Sequence, residues 1–333
     1  MTEVLVSAFP GAAQVMPERL RGRSVSIVAS FWMLGSIAVA LLAWATIPHF
    51  GWRTFIALCS LPAMICAAAT FSMASESPRF LLLNGFNKAA EDALHKITNQ
   101  RRGSLLARIG EQELSLKPIA SCSGEESTSL SKLVELASPP LRRFTLILSL
   151  ITACLGFGWY GLVMWMPSLF ASRHVELCIS SNDAMDCTYQ SALIATASTL
   201  PGNMFAVMVM DKLSHKSLLA SSGAIAAFAA LSASVSVEPW QLGLAYCAFQ
   251  ACSAVSWASL DILSTESFPT SSRGTSMGLL SSIGRIAAIL AQILFSCPAF
   301  APPSSLPMCC STVAMVVTCA CSLLLPSHNR VMH

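Results

Sequence analysis

Apolar and polar positions alternate along this chain in long blocks. Eight apolar runs stand out, at about 25 to 47, 53 to 74, 144 to 170, 190 to 210, 217 to 237, 240 to 264, 275 to 297 and 305 to 325. A helix rises 1.5 Å per residue, so about 20 apolar residues cross roughly 30 Å of hydrocarbon. The pattern therefore predicts an all-α, multi-pass transmembrane helical bundle of about eight spans. Several runs carry Pro62, Gly161, Pro167, Pro201 or Gly202. Such residues are tolerated in lipid where neighbouring helices or a cavity satisfy the freed backbone groups. The opening stretch "VLVSAFPGAAQVM" is too short and too broken by Pro10 and Gly11 to span, and with no basic segment ahead of it does not read as a signal peptide. Between the second and third runs lies the only sizeable polar segment, about 75 to 143. In it "NKAAEDALHKI" sets Ala90, Leu94 and Ile97 on one face behind an Asn87 cap, which predicts a short surface helix. "SCSGEESTSL" reads as loop.

Composition agrees with the pattern. Of 333 residues 54% are hydrophobic and 11% charged, with mean hydropathy +0.63, whereas soluble domains carry roughly 25% charged residues. Charge then sets orientation, because basic residues collect in short cytoplasmic loops. One side takes 17 of the 20 Lys and Arg: Arg19, Arg21, Arg23, ten between 79 and 143, Lys212, Lys216, Arg273 and Arg330. Arg53 and Arg173 fall on the other side, and Arg285 stands inside a run. Both ends of the spanning region and the 75 to 143 loop are thus expected in the cytoplasm, with the surrounding membrane, plasma or vesicle, left open. The net charge of +3 is spread among loops and points to no nucleic acid.

Enzymatic and metal chemistry find little support. The sequence has no Gly-x-Ser-x-Gly, no His-Glu-x-x-His and no phosphate-binding loop. Six His are scattered singly and read as solvent-facing. Of 13 cysteines, ten lie in or beside apolar runs, where a thiol acts as a small hydrophobe, and none forms a Cys-x-x-Cys zinc pattern. Cys178 and Cys187 differ, since both fall in the one non-cytoplasmic loop of appreciable size. A disulfide and two free thiols are the alternatives there. No cofactor and no metal are expected, and the chain does not read as an enzyme.

An internal repeat carries more information than the span count. "QVMPERLRG" at 14 to 22 and "ESFPTSSRG" at 266 to 274 each set Arg-Gly four residues after a Pro, just ahead of an apolar helix. With "FWMLGSIAVALLAW" at 31 to 44, "ESPRFLL" at 76 to 82, "WYGLVMWMPSLF" at 159 to 170 and "LPGNMFAVMVMDKL" at 200 to 213, the chain resembles the major facilitator superfamily, in particular its synaptic-vesicle-glycoprotein-2-like and organic-ion-transporter-like branch. The likeness runs along nearly the whole chain in order.

The resemblance implies an architecture. Residues 1 to 74 match the end of helix four with helices five and six, 75 to 143 the cytoplasmic loop, 144 to 326 a six-helix half and 327 to 333 a cytoplasmic tail. Helices one to three and most of four have no counterpart, so the chain is expected to be a truncated transporter. The implied function is movement of a small organic solute, with or without a coupling ion, by alternating access. The alternative is a non-transporting binding or assembly protein in the bilayer, with a membrane-protein partner.

It also implies a site. Trp159, Tyr160, Trp257, Asp261 and Arg285 match cavity-lining positions of the family. Trp257 precedes Asp261 by four residues, which puts ring and acid on one helical face. Because a charge at mid-bilayer costs about 2.5 to 3.5 kcal/mol on insertion scales, such residues face a cavity or a partner. For Asp261 the alternative is an interfacial acid reaching water; for Arg285, an ion pair with Asp261; for Trp159 and Tyr160, plain packing. A second group matches the family's cytoplasmic gating loops: Arg21, Gly22, Glu76, Arg79, Asp211, Glu266, Arg273 and Gly274. Here the sequence departs from the family. The Asp-Arg-x-Gly-Arg-Arg loop reads Asp211-Lys212-Leu213-Ser214-His215-Lys216, Gln14 stands where the family has an acid, and the luminal insertion after helix seven shrinks to "RHVELCISSNDAMDCT".

Overall fold

The computed structural model describes residues 18–73, 92, 136–173, 184–210, 212–268 and 272–325. Among these residues the secondary structure is helical throughout, with no strand. The helices are α1 (Glu18–Met73), α2 (Pro139–Ser172), α3 (Ala184–Ala197), α4 (Thr199–Val209), α5 (His215–Val235), α6 (Pro239–Ser267), α7 (Arg273–Phe295) and α8 (Leu306–Leu324), with a single 3-10 turn at Pro298–Phe300. The surface helix expected near Asn87 lies outside the described residues except for Asp92, which is helical.

All eight apolar runs are found in these helices. The first two share α1, which breaks at Gly51 with φ 75° and ψ 171°. That backbone is left-handed, where a side chain would meet its own carbonyl, so glycine fits. The fourth run divides into α3 and α4 at Ser198, because Pro201 has no N–H to continue the ladder. Among the described residues six stretches are long and apolar enough to cross a membrane, the first being the 41 residues Ala29–Ala69 that hold two of the runs. The run at 240 to 264 forms α6, 29 residues long. It falls below that apolarity because it carries Gln250, Ser253, Ser256, Ser259 and Asp261.

The chain divides into two compact units, one of 1–14, 19–44 and 127–333, the other of 15–18 and 45–126. In the second, the described helical segment exposes Phe50, Trp52, Ile56, Met64, Ile65 and Phe71, and Thr54 and Ser60 return their hydroxyls to the carbonyls of Phe50 and Ala57. Large apolar side chains outside and hydroxyls turned onto the backbone are what hydrocarbon solvent requires.

In the first unit α2 packs on α7 and α8, α5 on α6 and α8, and α4 on α6. Leu148, Ile151, Leu155, Leu162, Met166 and Leu169 recur at helical spacing on the buried face of α2, while Leu146, Leu150 and Met164 point outward. Between membrane helices the tails of lipid are as apolar as Leu, so close packing takes over from hydrophobic drive. The buried faces accordingly use small residues: Ala226, Ala230 and Ala233 on α5 and Ser253, Ser256 and Ser259 on α6. Ser222 and Ser256 share a 2.8 Å hydrogen bond across that contact. α2 and α7 touch at Gly156 and Gly284, where an added Cβ on Gly156 would stand 2.7 Å from the Gly284 carbonyl oxygen.

Helix ends are tied by cations. Lys216 donates to the Leu325 carbonyl at 2.5 Å. At the other end of the bundle Arg173 donates from Nη1 to the Ser236 carbonyl at 3.3 Å and from Nη2 to the Pro303 carbonyl at 2.9 Å. One guanidinium thereby joins the end of α2 to two loops. Charge-assisted bonds contribute roughly 1.5–3 kcal/mol when buried and less here, where the group is partly exposed. Arg173→Ala is expected to lower the thermal midpoint in detergent by about 2–4 °C, and Arg173→Lys, with no fork to span both carbonyls, by a similar amount. An unchanged midpoint for both would show that the bridge carries no stability.

Candidate functional site

Helical spacing brings α1, α2, α4, α6 and α7 to one cavity of about 170 Å³. Trp159, Tyr160, Trp257, Asp261 and Arg285 all line it, together with Trp32, Asn203, Ser264 and Ser281. Trp159 and Tyr160 are sequence neighbours whose rings meet edge to face, 4.6 Å apart at 75°. Trp257 stands 6.2 Å from each of them, at 73° and 68°. Trp32 of α1 adds a fourth ring, 5.9 Å from Trp159. Edge-to-face contacts of this kind hold rings in fixed orientation.

The charged groups sit among these rings. The Arg285 guanidinium carbon is 5.3 Å from the centroid of the Tyr160 ring, a cation–π distance. Seven residues on, along the same face of α7, Gln292 donates from Nε2 to the Tyr160 backbone carbonyl at 3.0 Å. α7 thus holds Tyr160 by both its ring and its carbonyl. Asp261 is partly buried, one turn beyond Trp257 on α6. The ion pair between Asp261 and Arg285 does not form: the two charges line the same space separately, and the described residues place no ion pair or hydrogen bond on the Asp261 carboxylate.

Two cavity groups went unread in the sequence. Trp32 lies inside the quoted "FWMLGS" stretch, and only its juxtaposition with Trp159 gives it a place in the wall. Asn203, within "LPGNMF", is 1% exposed, donates from Nδ2 to the Ser30 hydroxyl at 2.5 Å and leaves its Oδ1 unpartnered. Trp257 Nε1 is likewise buried without a partner.

Of the gating-loop residues, Glu76, Arg79 and Asp211 lie outside the described residues, as does Cys178 and with it the Cys178–Cys187 question. Arg21 and Gly22 belong to α1 and Cys187 to α3, with only their backbone described. Gly274 is the second residue of α7, with open space where a Cβ would stand. Arg273 is buried and donates to the Phe268 carbonyl at 3.4 Å. Glu266 faces His215, its Oε2 3.7 Å from the His215 Nε2. This corrects the solvent-facing reading for His215, whose side chain is 22% exposed because Glu266 of α6 stands beside it, while His49 is exposed as expected. Among the described residues no three His, Cys, Asp or Glu side chains assemble as metal ligands.

Apolar helices of spanning length around an aromatic, charged cavity define an integral multi-pass membrane protein. The pattern described as the Major Facilitator Superfamily matches residues 4–292, and the chain belongs to that family. It is 27% identical over 327 residues to the putative transporter svop-1 of Caenorhabditis elegans, covering 96% of this chain and 61% of that protein. To the organic cation/carnitine transporter 7 of Arabidopsis thaliana it is 26% identical over 310 residues, covering 84% and 61%. To the niacin transporter NiaP of Acinetobacter baylyi it is 25% identical over 282 residues, covering 85% and 60%. The chain therefore spans about three fifths of the length of these relatives. Among solved structures, the proton:xylose symporter XylE with bound 6-bromo-6-deoxy-D-glucose superposes with a TM-score of 0.66 at 18% identity, covering 96% of this chain and 66% of that one. At that identity the likeness is one of fold.

Proposed function

We propose that this protein takes part in moving a small organic solute across a membrane by alternating access, and that Trp159, Tyr160, Trp257, Asp261 and Arg285 form its solute site. The observation that supports the reading most is the convergence of four aromatic rings, one acid and one guanidinium on a single cavity. Charges set within a span are costly unless something polar enters the space they face. Relatives that move an organic cation, carnitine or niacin support the same solute class. In this reading residues 144 to 326 act as one six-helix half, and the Glu266–His215 contact with the Arg273 loop belongs to the cytoplasmic closure that opens as helices rock.

The test is uptake of labelled organic cations, anions and zwitterions into proteoliposomes holding the full chain, read beside quenching of the cavity tryptophans. Saturable quenching with uptake supports transport; saturable quenching without uptake supports the alternative, a binding protein; neither overturns the solute site. Trp257→Ala removes the ring that edges both neighbours. It is expected to weaken solute affinity about tenfold, in keeping with the roughly 0.5–2 kcal/mol of an aromatic face on a cation. An unchanged dissociation constant would return Trp257 to packing.

A further inference from the structure

We propose that the solute is a small zwitterion, its ammonium group set against Asp261 and its carboxylate against Arg285 across the aromatic walls; the inference rests on the solute-site reading above. Among the described residues, Asp261 and Arg285 are the only charged side chains lining the cavity, and they are of opposite sign. No ion pair joins them among the described residues. Arg285 rests on the Tyr160 ring, and no ion pair or hydrogen bond among the described residues falls on the Asp261 carboxylate. Asp261 is half-buried and Arg285 is exposed toward the cavity, and a charge set within a span without an ion-pair partner costs free energy until a counter-charge arrives.

The sign of the occupant follows from that arrangement. A simple cation satisfies Asp261 and brings a second positive charge into the space of Arg285. A simple anion does the reverse. A zwitterion alone matches both, leaving the cavity neutral as before. Orphaned polar atoms repeat the demand: Asn203 Oδ1 is a buried acceptor without a donor and Trp257 Nε1 a buried donor without an acceptor, both on residues of the same wall. An N–H-bearing ammonium and a carboxylate oxygen supply what each lacks. Size bounds the middle of the molecule. A cavity of about 170 Å³ is close to the ~150 Å³ that admits benzene, so one flat ring or a chain of similar bulk fits between Trp159, Trp257 and Tyr160.

A matched series tests this with the full chain in detergent: 4-(aminomethyl)benzoate as zwitterion, 4-methylbenzylamine as cation, 4-methylbenzoate as anion and 4-methylbenzyl alcohol as neutral control, each titrated by calorimetry. The wild-type chain is expected to bind the zwitterion at least about tenfold more tightly than the other three. Asp261→Asn should reverse the order in favour of the anion, and Arg285→Gln in favour of the cation. The charge-keeping variants Asp261→Glu and Arg285→Lys should restore the zwitterion preference, which separates a charge effect from misfolding. If the cation, anion or alcohol binds as well as the zwitterion, the inference fails while the solute site stands. If none of the four binds and no tryptophan quenching accompanies any solute class, the inference and the solute site fall together.

Discussion

Gly202→Leu is expected to abolish the folded bundle, and Gly202→Ala to destabilise it by about 1–3 kcal/mol. Gly202 is the point where the short helix α4 meets α6. A Cβ there would run into the Ala251 backbone, its carbonyl oxygen, carbonyl carbon and Cα together. A flexible side chain could swing aside, but the backbone of a packed helix moves only with the helix. The shift would also disturb Asn203, the next residue, whose side chain bonds Ser30 and lines the cavity. Overpacking of a tight contact costs roughly 1–3 kcal/mol for small additions, and a leucine adds three further carbons to a contact built for none. Size-exclusion profiles and melting curves in detergent check this, with Gly278→Ala as the control, since open space surrounds Gly278. If Gly202→Ala melts like the wild type, α4 and α6 do not approach as described.

Asp261→Asn is expected to cut solute uptake by about ten- to a hundredfold while leaving insertion and melting behaviour intact. The exchange keeps volume and one acceptor, removes the charge and turns the second oxygen into an amide donor. Hydrogen bonds to a charged group are worth roughly 1.5–3 kcal/mol, which converts to that range of affinity. Folding should not suffer, because no ion pair or hydrogen bond to another described side chain depends on the carboxylate; relief of its burial even favours the neutral amide. Proteoliposome uptake beside a melting curve separates the two effects. Unchanged uptake would make Asp261 an acid at the membrane interface that merely reaches water.

Taken element by element, the helical spans were legible because hydrocarbon admits few solutions: a run of about 20 apolar residues has to satisfy its own backbone bonds, and a helix does so. The run at 240 to 264 was legible despite its Gln, Ser and Asp, and Gln250, Ser253, Ser256 and Ser259 form the buried face of α6. Trp257 and Asp261 were legible as a pair because four residues is one turn. Arg285 was conspicuous because a guanidinium in mid-span demands an explanation. Asn203 and Trp32 were not, since neither is unusual in composition and each gains meaning from a neighbour far along the chain. His215 was misread for the same reason: a single His in a polar loop looks solvated until α6 places Glu266 beside it.

The division follows from the range of the forces involved. Hydropathy and turn spacing act within a few residues or relative to the bilayer, so the sequence by itself determined the helical class, the spans and the family. Contacts between residues such as Ser30 and Asn203, or Tyr160 and Arg285, depend on how helices cross, and crossing is set by small-residue approach at Gly156, Gly202 and Gly284. Only the tertiary structure decided that Asp261 and Arg285 line one cavity with no ion pair between them.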